Sequence, residues 1–281
     1  MTISLAPILL HAGTGGSAAQ DIHRCLTANA ASLGHAGFPM HDAASPARPA
    51  APQFPRKLTA ALVSDAGLCG SPAGLLNGAF FPSAADAARD LVARQSARVT
   101  RLVLAVQPYD VLFRAAWRQA ALAGPVQPFD RAMARMAAIQ DGWHDLVTRL
   151  SDALDGPEIT VLAAPLSPRR IIDAVVPGLE LPVLRPFTPS PAITDSAVAA
   201  FQRLAVQGVA LAPGQIERLC AFHAALPQTQ GEIALNALAL ADLRGRYVAD
   251  LAMMSRMAGV RVETEAQPLP VRTGRRAIAA E

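Results

Sequence analysis

The stretch Ile8-Leu9-Leu10-His11-Ala12-Gly13-Thr14-Gly15-Gly16-Ser17 decides the fold. An apolar strand from Ile8 to Leu10 passes through His11 into a glycine-rich turn, and an amphipathic helix follows at once. Glycines let the chain turn with positive φ and let backbone N–H groups approach an anion that a Cβ would hold away. Ser17 with Gln20 three positions on fits a capping box. Ala19, Ile22, Leu26, Ala30 and Leu33 then recur at helical spacing, with Gly34 as the stop. The pattern predicts a strand, a phosphate-cradling turn at Thr14, Gly15, Gly16 and Ser17, and one helix. The same turn also reads as a tight strand-to-helix connection with no ligand.

A nucleotide loop of the P-loop type ends in Lys-Ser or Lys-Thr, whose lysine neutralises charge on the transferring group. This turn has no lysine. Lys57 is the one lysine among 25 lysines and arginines, and it precedes the next apolar strand, at the sheet's N-terminal edge. Ligands of open α/β sheets bind at the opposite, C-terminal edge.

Further strands are expected at Thr59 to Ser64, Val99 to Val106 and Ile159 to Ala163. The run at Val99 is continuously apolar, as in a strand buried on both faces of a parallel sheet. Helices are expected at Ala84 to Gln95, after Gln107-Pro108-Tyr109-Asp110 to Leu122, and, as one long element, Phe129 to Leu150. Alternation of strands and helices predicts an α/β fold, a parallel sheet flanked by helices. A mostly helical C-terminal portion follows, at Asp195 to Val206, Gly214 to Ala225 and Leu240 to Ala258. Proline-rich loops fall at 43–55 and 177–191. The organisation is one domain over 1–263 and a mobile tail over 264–281.

Composition excludes several classes. A hydrophobic fraction of 52% is enough for a sizeable core, so the chain as a whole is not disordered. Net charge is only +3, aromatics are 5%, and there is no Lys/Arg-rich run, which argues against nucleic acid as partner. Cys25, Cys69 and Cys220 are odd in number with no C-x-x-C spacing, against a disulfide framework or zinc site and for a reducing, cytoplasmic setting. Residues 2–10 lack a basic n-region and are broken by Pro7, so they read as the first strand and not a signal peptide. No run approaches 18 apolar residues, so no membrane span is expected.

Taken in order, four stretches resemble the bacterial branch of the sulfotransferase family. They are His11-Ala12-Gly13 with the turn and Gln20; Val63-Ser64-Asp65-Ala66-Gly67-Leu68-Cys69-Gly70; Leu102 through Tyr109-Asp110 to Trp117-Arg118-Gln119; and Leu243-Arg244-Gly245-Arg246-Tyr247 leading to Asp250-Leu251. The resemblance implies a parallel sheet flanked by helices that binds 3′-phosphoadenosine 5′-phosphosulfate and passes its sulfuryl group to a hydroxyl or amine. It also implies that the two proline-rich loops line the acceptor side.

The family's functional positions are where this chain departs from it. The loop lysine is missing. Gln107 stands where the family carries an arginine for the 3′ phosphate; Arg114, Ala115 and Ala116 stand where it carries a serine for that phosphate; Ala66 stands where many relatives have a glutamate. Removing one preorganised donor from an electrostatic site costs about 100- to 1,000-fold in rate. Losing all four implies a degraded phosphosulfate site and a role in binding or scaffolding, with a nucleotide or a protein as partner. The alternative is an active sulfotransferase in which Arg114 and Arg118, one helical turn apart, replace the usual cations. Otherwise they are solvated helix arginines.

His11 and Asp65 are the candidates for a catalytic base, each also readable as a structural residue. Gly13-x-Gly15-x-x-Ala18 matches a dinucleotide fingerprint, an oxidoreductase reading that needs an acidic residue ending a central second strand. Asp42 is the nearest acid, and Pro39 disfavours a central strand there. The other histidines, His23, His35, His41, His144 and His223, show no metal-ligand spacing.

Overall fold

Ile8–Ala12 forms β1, and every one of its residues is buried, as expected of a strand covered on both faces. The computed structural model describes residues 7–42, 59–95, 97–163, 167–189, 192–227 and 235–264. The other strands are β2 (Met40–Asp42), β3 (Ala61–Asp65), β4 (Val99–Ala105), β5 (Glu158–Leu162) and β6 (Val260–Glu263). All neighbours pair in parallel, in the order β2-β3-β1-β4-β5-β6. The helices are α1 (Ser17–Ala28), α2 (Ala30–His35), α3 (Ala84–Gln95), α4 (Tyr109–Ala123), α5 (Phe129–Ala137), α6 (Trp143–Ala153), α7 (Pro168–Val175), α8 (Asp195–Val206), α9 (Pro213–Ala224) and α10 (Ala237–Met254).

Side chains alternate across a strand, so each strand feeds two cores. Ile8, Leu10 and Ala12 join Leu102 and Leu104 under Phe80, Phe113 and Trp143, on the face covered by α3, α4, α6 and α10. Leu9, Val103 and Ala105 face α1 and α7, meeting Ile22, Leu26, Ile171 and Val175. A small third cluster, Ala197, Phe201 and Cys220, holds α8 and α9 beside α4. At roughly 25 cal/mol per Å² of apolar surface removed from water, these cores dominate the folding free energy.

The parallel sheet flanked by helices is the architecture expected, and α3 and α8 have the expected bounds. Several expectations need correction. The first helix is interrupted at Asn29, whose side chain donates to the Cys25 carbonyl and both donates to and accepts from the backbone of Arg185. The long helix expected over 129–150 is two helices, α5 and α6, separated before Gly142. A Cβ at Gly142 would lie 2.3 Å from the Tyr109 hydroxyl and 2.5 Å from Asp250. Helix α7 lies in a stretch, before the proline-rich connection, to which no element was assigned, and strand β6 lies beyond the last expected helix. The capping box at Ser17 does not form: Gly16 is the N-cap, with no side-chain cap. The loop at 43–55, Lys57 and all of the expected tail except Thr264 lie outside the described residues.

Candidate functional site

Strand order fixes where a cleft opens. From β1 the chain first builds to one side, through β2 and then β3, and then to the other, through β4, so the carboxyl ends of β1 and β4 flank a switch point. Crevices at such points are the ligand sites of open α/β sheets. Here a cavity of about 450 Å³ lies between the two. Its floor is Gly15, Gly16, Ser17 and Gln20, from the turn after β1 and the start of α1. Gln107 and one side of α4, including Val111, Arg114, Arg118 and Gln119, form the opposite wall, and Ala192 and Ile193 complete it.

The turn is shaped by its neighbour, the exit of β3. Gly13 N–H donates to the Asp65 carbonyl and Gly15 N–H to that of Ala66, both at 2.7 Å. A Cβ at Gly13 would sit 2.2 Å from the Ala66 carbonyl oxygen, and Gly15 has φ +69°. These two glycines are therefore demanded by packing, and their N–H groups are spent inside the protein. What faces the cleft is Gly16, whose φ is −85°, and the first turn of α1, which carries no acidic residue and no side-chain cap. That leaves the positive end of the α1 dipole directed at the cavity.

The arginines reach the cleft already engaged. Arg114 donates from Nη2 to Asp110 Oδ2 at 2.6 Å and from Nε to the Asp110 carbonyl at 3.0 Å. Asp110 is fully buried and also accepts from Arg244 Nη2 at 2.9 Å. Burial pushes its carboxyl upward, but the guanidiniums of Arg244 and Arg114 outweigh this and hold it below the ordinary carboxylate value. Arg118 donates from Nε to Asp195 Oδ1 at 2.8 Å, joining α4 to the first turn of α8. Gln119 donates to the Gly15 carbonyl at 3.3 Å, stitching α4 to the turn.

The residues singled out in the sequence divide into two groups. Gly15, Gly16, Ser17, Gln107, Arg114 and Arg118 line one cavity. His11, Thr14 and Asp65 are not among its lining residues. His11 is fully buried within β1, with Nδ1 2.8 Å from Ser64 Oγ. Ser64 Oγ is also 3.0 Å from His23 Nδ1. Burial, helped by His23, pulls the His11 imidazole down to about 3, so it stays neutral. Asp65 accepts from the Gly67 N–H at 2.9 Å, an Asx-type turn at the exit of β3. Thr14 is buried.

Asp42 ends β2, the outermost strand, and β3 lies between it and β1. Two strand spacings, about 10 Å, therefore separate β2 from the strand that carries the turn. The fingerprint that joins a first βα turn to an acid on an adjacent strand is not assembled. The 177–191 connection is described over residues 177–189. Its Arg185 is held by Asn29 at the end of α1, and its Thr188 carbonyl by Arg24, so it runs along α1. Ala192 and Ile193, just beyond it, line the cleft.

Sequence reasoning missed Asp110 and Asp195 as the partners of the cleft's arginines, and Asp250 as a partner in the neighbouring core. Asp250 accepts from the Tyr109 hydroxyl and, at 2.8 Å, from the Trp143 N–H, and Arg246 lies 4.5 Å over the Tyr109 ring. The only signal was their presence in, or next to, stretches already notable, such as Tyr109-Asp110 and Arg244 to Asp250. All three cysteines are buried, and burial raises the Cys25 and Cys69 thiols to about 12, away from nucleophilic use. Among the described residues no group of three or more His, Cys, Asp or Glu could hold a metal ion. No helix there is long and apolar enough to cross a membrane. Comparison with known proteins finds no matching family model, curated protein or solved structure.

Proposed function

We propose that the chain is a sulfotransferase-like binding protein whose cleft takes a phosphate- or sulfate-bearing small molecule without passing on its sulfuryl group efficiently. The observation that carries this reading is the state of the cleft's charges. Both arginines on its wall are already ion-paired, Arg118 to Asp195 and Arg114 to an Asp110 that it shares with Arg244, and among the described residues no carboxylate or imidazole lines the cavity to act as base. General-base transfer needs such a group within hydrogen-bond reach of the acceptor. The residues present fit a phosphate through the open first turn of α1 and the forked guanidiniums. They do not fit the transfer step, because an unpaired cation and a base are both missing from the lining among the described residues.

A specific observation favours a second reading, active sulfuryl transfer: the turn, Gln107, Arg114 and Arg118 share one cavity although Gly15 and Arg118 are more than 100 positions apart in the chain. Consumption of 3′-phosphoadenosine 5′-phosphosulfate in the presence of mixed phenol and amine acceptors separates the two. The binding reading predicts saturable titration by adenosine 3′,5′-bisphosphate, weaker than about 10 µM, with no donor consumed above the buffer rate.

A further inference from the structure

Arg118 is the cleft's guanidinium whose counter-ion comes from another element. Its Nε and Nη2, the forked edge that a phosphate takes in bidentate fashion, both lie on Asp195 Oδ1, at 2.8 and 2.5 Å. Asp195 opens α8, and Ala192 and Ile193, three and two positions before it, are part of the cleft wall. The ion pair therefore ties the wall to α4 through the same atoms that an anionic ligand requires. The pair is partly shielded, with side-chain exposures of 27% and 14%, so screening by water weakens it less than a surface pair. Arg114 is placed differently, because its acid Asp110 is buried on its own helix and shared with Arg244.

We propose that Asp195 is a built-in counter-anion that sets the charge the cleft accepts. With Asp195 on Arg118 the cleft offers a polyanion one positive charge fewer, and a phosphate or sulfate monoester enters by taking the Arg118 fork from Asp195 and loosening the start of α8. This rests on the cleft being a phosphate site. Asp195 is thus a specificity-determining residue, which favours weakly charged ligands over polyanions until its charge is removed.

The test is calorimetric titration of adenosine 3′,5′-bisphosphate into the wild type, Asp195→Asn and the double variant Asp195→Asn with Arg118→Gln. Thr194 still caps α8 through its hydroxyl, which accepts from the Ala197 N–H, so the helix start is retained in the variants. The expected result is binding about tenfold or more tighter in Asp195→Asn, a gain lost in the double variant. Wild-type binding that is unchanged or weakened by Asp195→Asn overturns this inference and leaves the cleft reading standing. Absence of heat from all three proteins overturns both. Hydrogen exchange of the unaltered protein gives the same test without a variant. Saturation with the nucleotide is expected to speed exchange at the start of α8, and unchanged or slowed exchange there contradicts the displacement.

Discussion

Gly13 and Gly16 look alike in the sequence and are held to different standards by the fold. A Cβ at Gly13 meets the Ala66 backbone at 2.2 Å, whereas one at Gly16 meets nothing nearer than Pro72 Cγ at 3.8 Å. Gly13→Ala is expected to destabilise by about 3 kcal/mol or more, because a carbonyl of the β3 exit has to move. Gly16→Ala is expected to cost under about 1.5 kcal/mol, since its φ suits any residue and alanine is only a poorer N-cap. Urea unfolding of the two variants checks the contrast.

His11 makes a second residue-scale prediction. Its folded value of about 3 lies below the ordinary 6.5, so between these the unfolded chain binds a proton that the folded chain does not. Stability is fully present above pH 6.5 and is lost as pH falls toward 3, at about 1.4 kcal/mol per pH unit. Asp110 adds to the loss further down. Its depressed carboxyl contributes stability above the unfolded value near 3.9, lost as pH falls through the lower folded value. Unfolding free energies measured along this range are expected to show the slope, and His11→Leu is expected to flatten it between pH 6.5 and 4.

At the scale of elements, the break between α5 and α6 is held by a hub to which α4, α6 and α10 each contribute one group. The Tyr109 hydroxyl and the Trp143 N–H both meet Asp250 Oδ2, and Asp145 caps the Gly142 N–H at 2.8 Å. Tyr109→Phe and Asp250→Asn are each expected to cost about 1–3 kcal/mol, because a buried polar partner is lost. Their double-mutant cycle is expected to give a coupling of about 0.5–3 kcal/mol, and additivity in chemical denaturation contradicts the hub. The helical stripe from Met136 to Leu150 was legible in the sequence, but the interruption was not, since it depends on a tyrosine and an aspartate 141 positions apart. Helix α7 did carry a local signal, Ser167-Pro168 as cap and first residue ahead of Ile171, Ile172 and Val175. Strand β6 carried little: four residues alternating Val-Arg-Val-Glu gain their meaning only from pairing with β5.

Across the whole molecule, the parallel sheet was readable because alternation of apolar runs and helical stripes is a local property repeated along the chain. The position of the cleft was half readable. Turn and helix can be recognised in place, but the strand order that sets β4 beside β1 cannot. The charge state of the cleft was not readable at all. Arg118 meets an acid 77 positions away, and Asp110 meets an arginine 134 positions away. Those pairings engage both arginines of what looks like a free cationic helix face, and they are the reason the account favours binding over transfer.

The most direct measurement is calorimetric titration of adenosine 3′,5′-bisphosphate into the wild type and Ser17→Asp, with NAD as control. Ser17 is exposed at the first position of α1, where an added carboxylate stabilises the helix while placing negative charge on the cleft floor. The account predicts weak saturable binding to the wild type, none to a fully folded Ser17→Asp, and none of NAD to either. Absence of binding to the wild type, or equal binding to Ser17→Asp, would contradict the assignment of this cleft as a phosphate site.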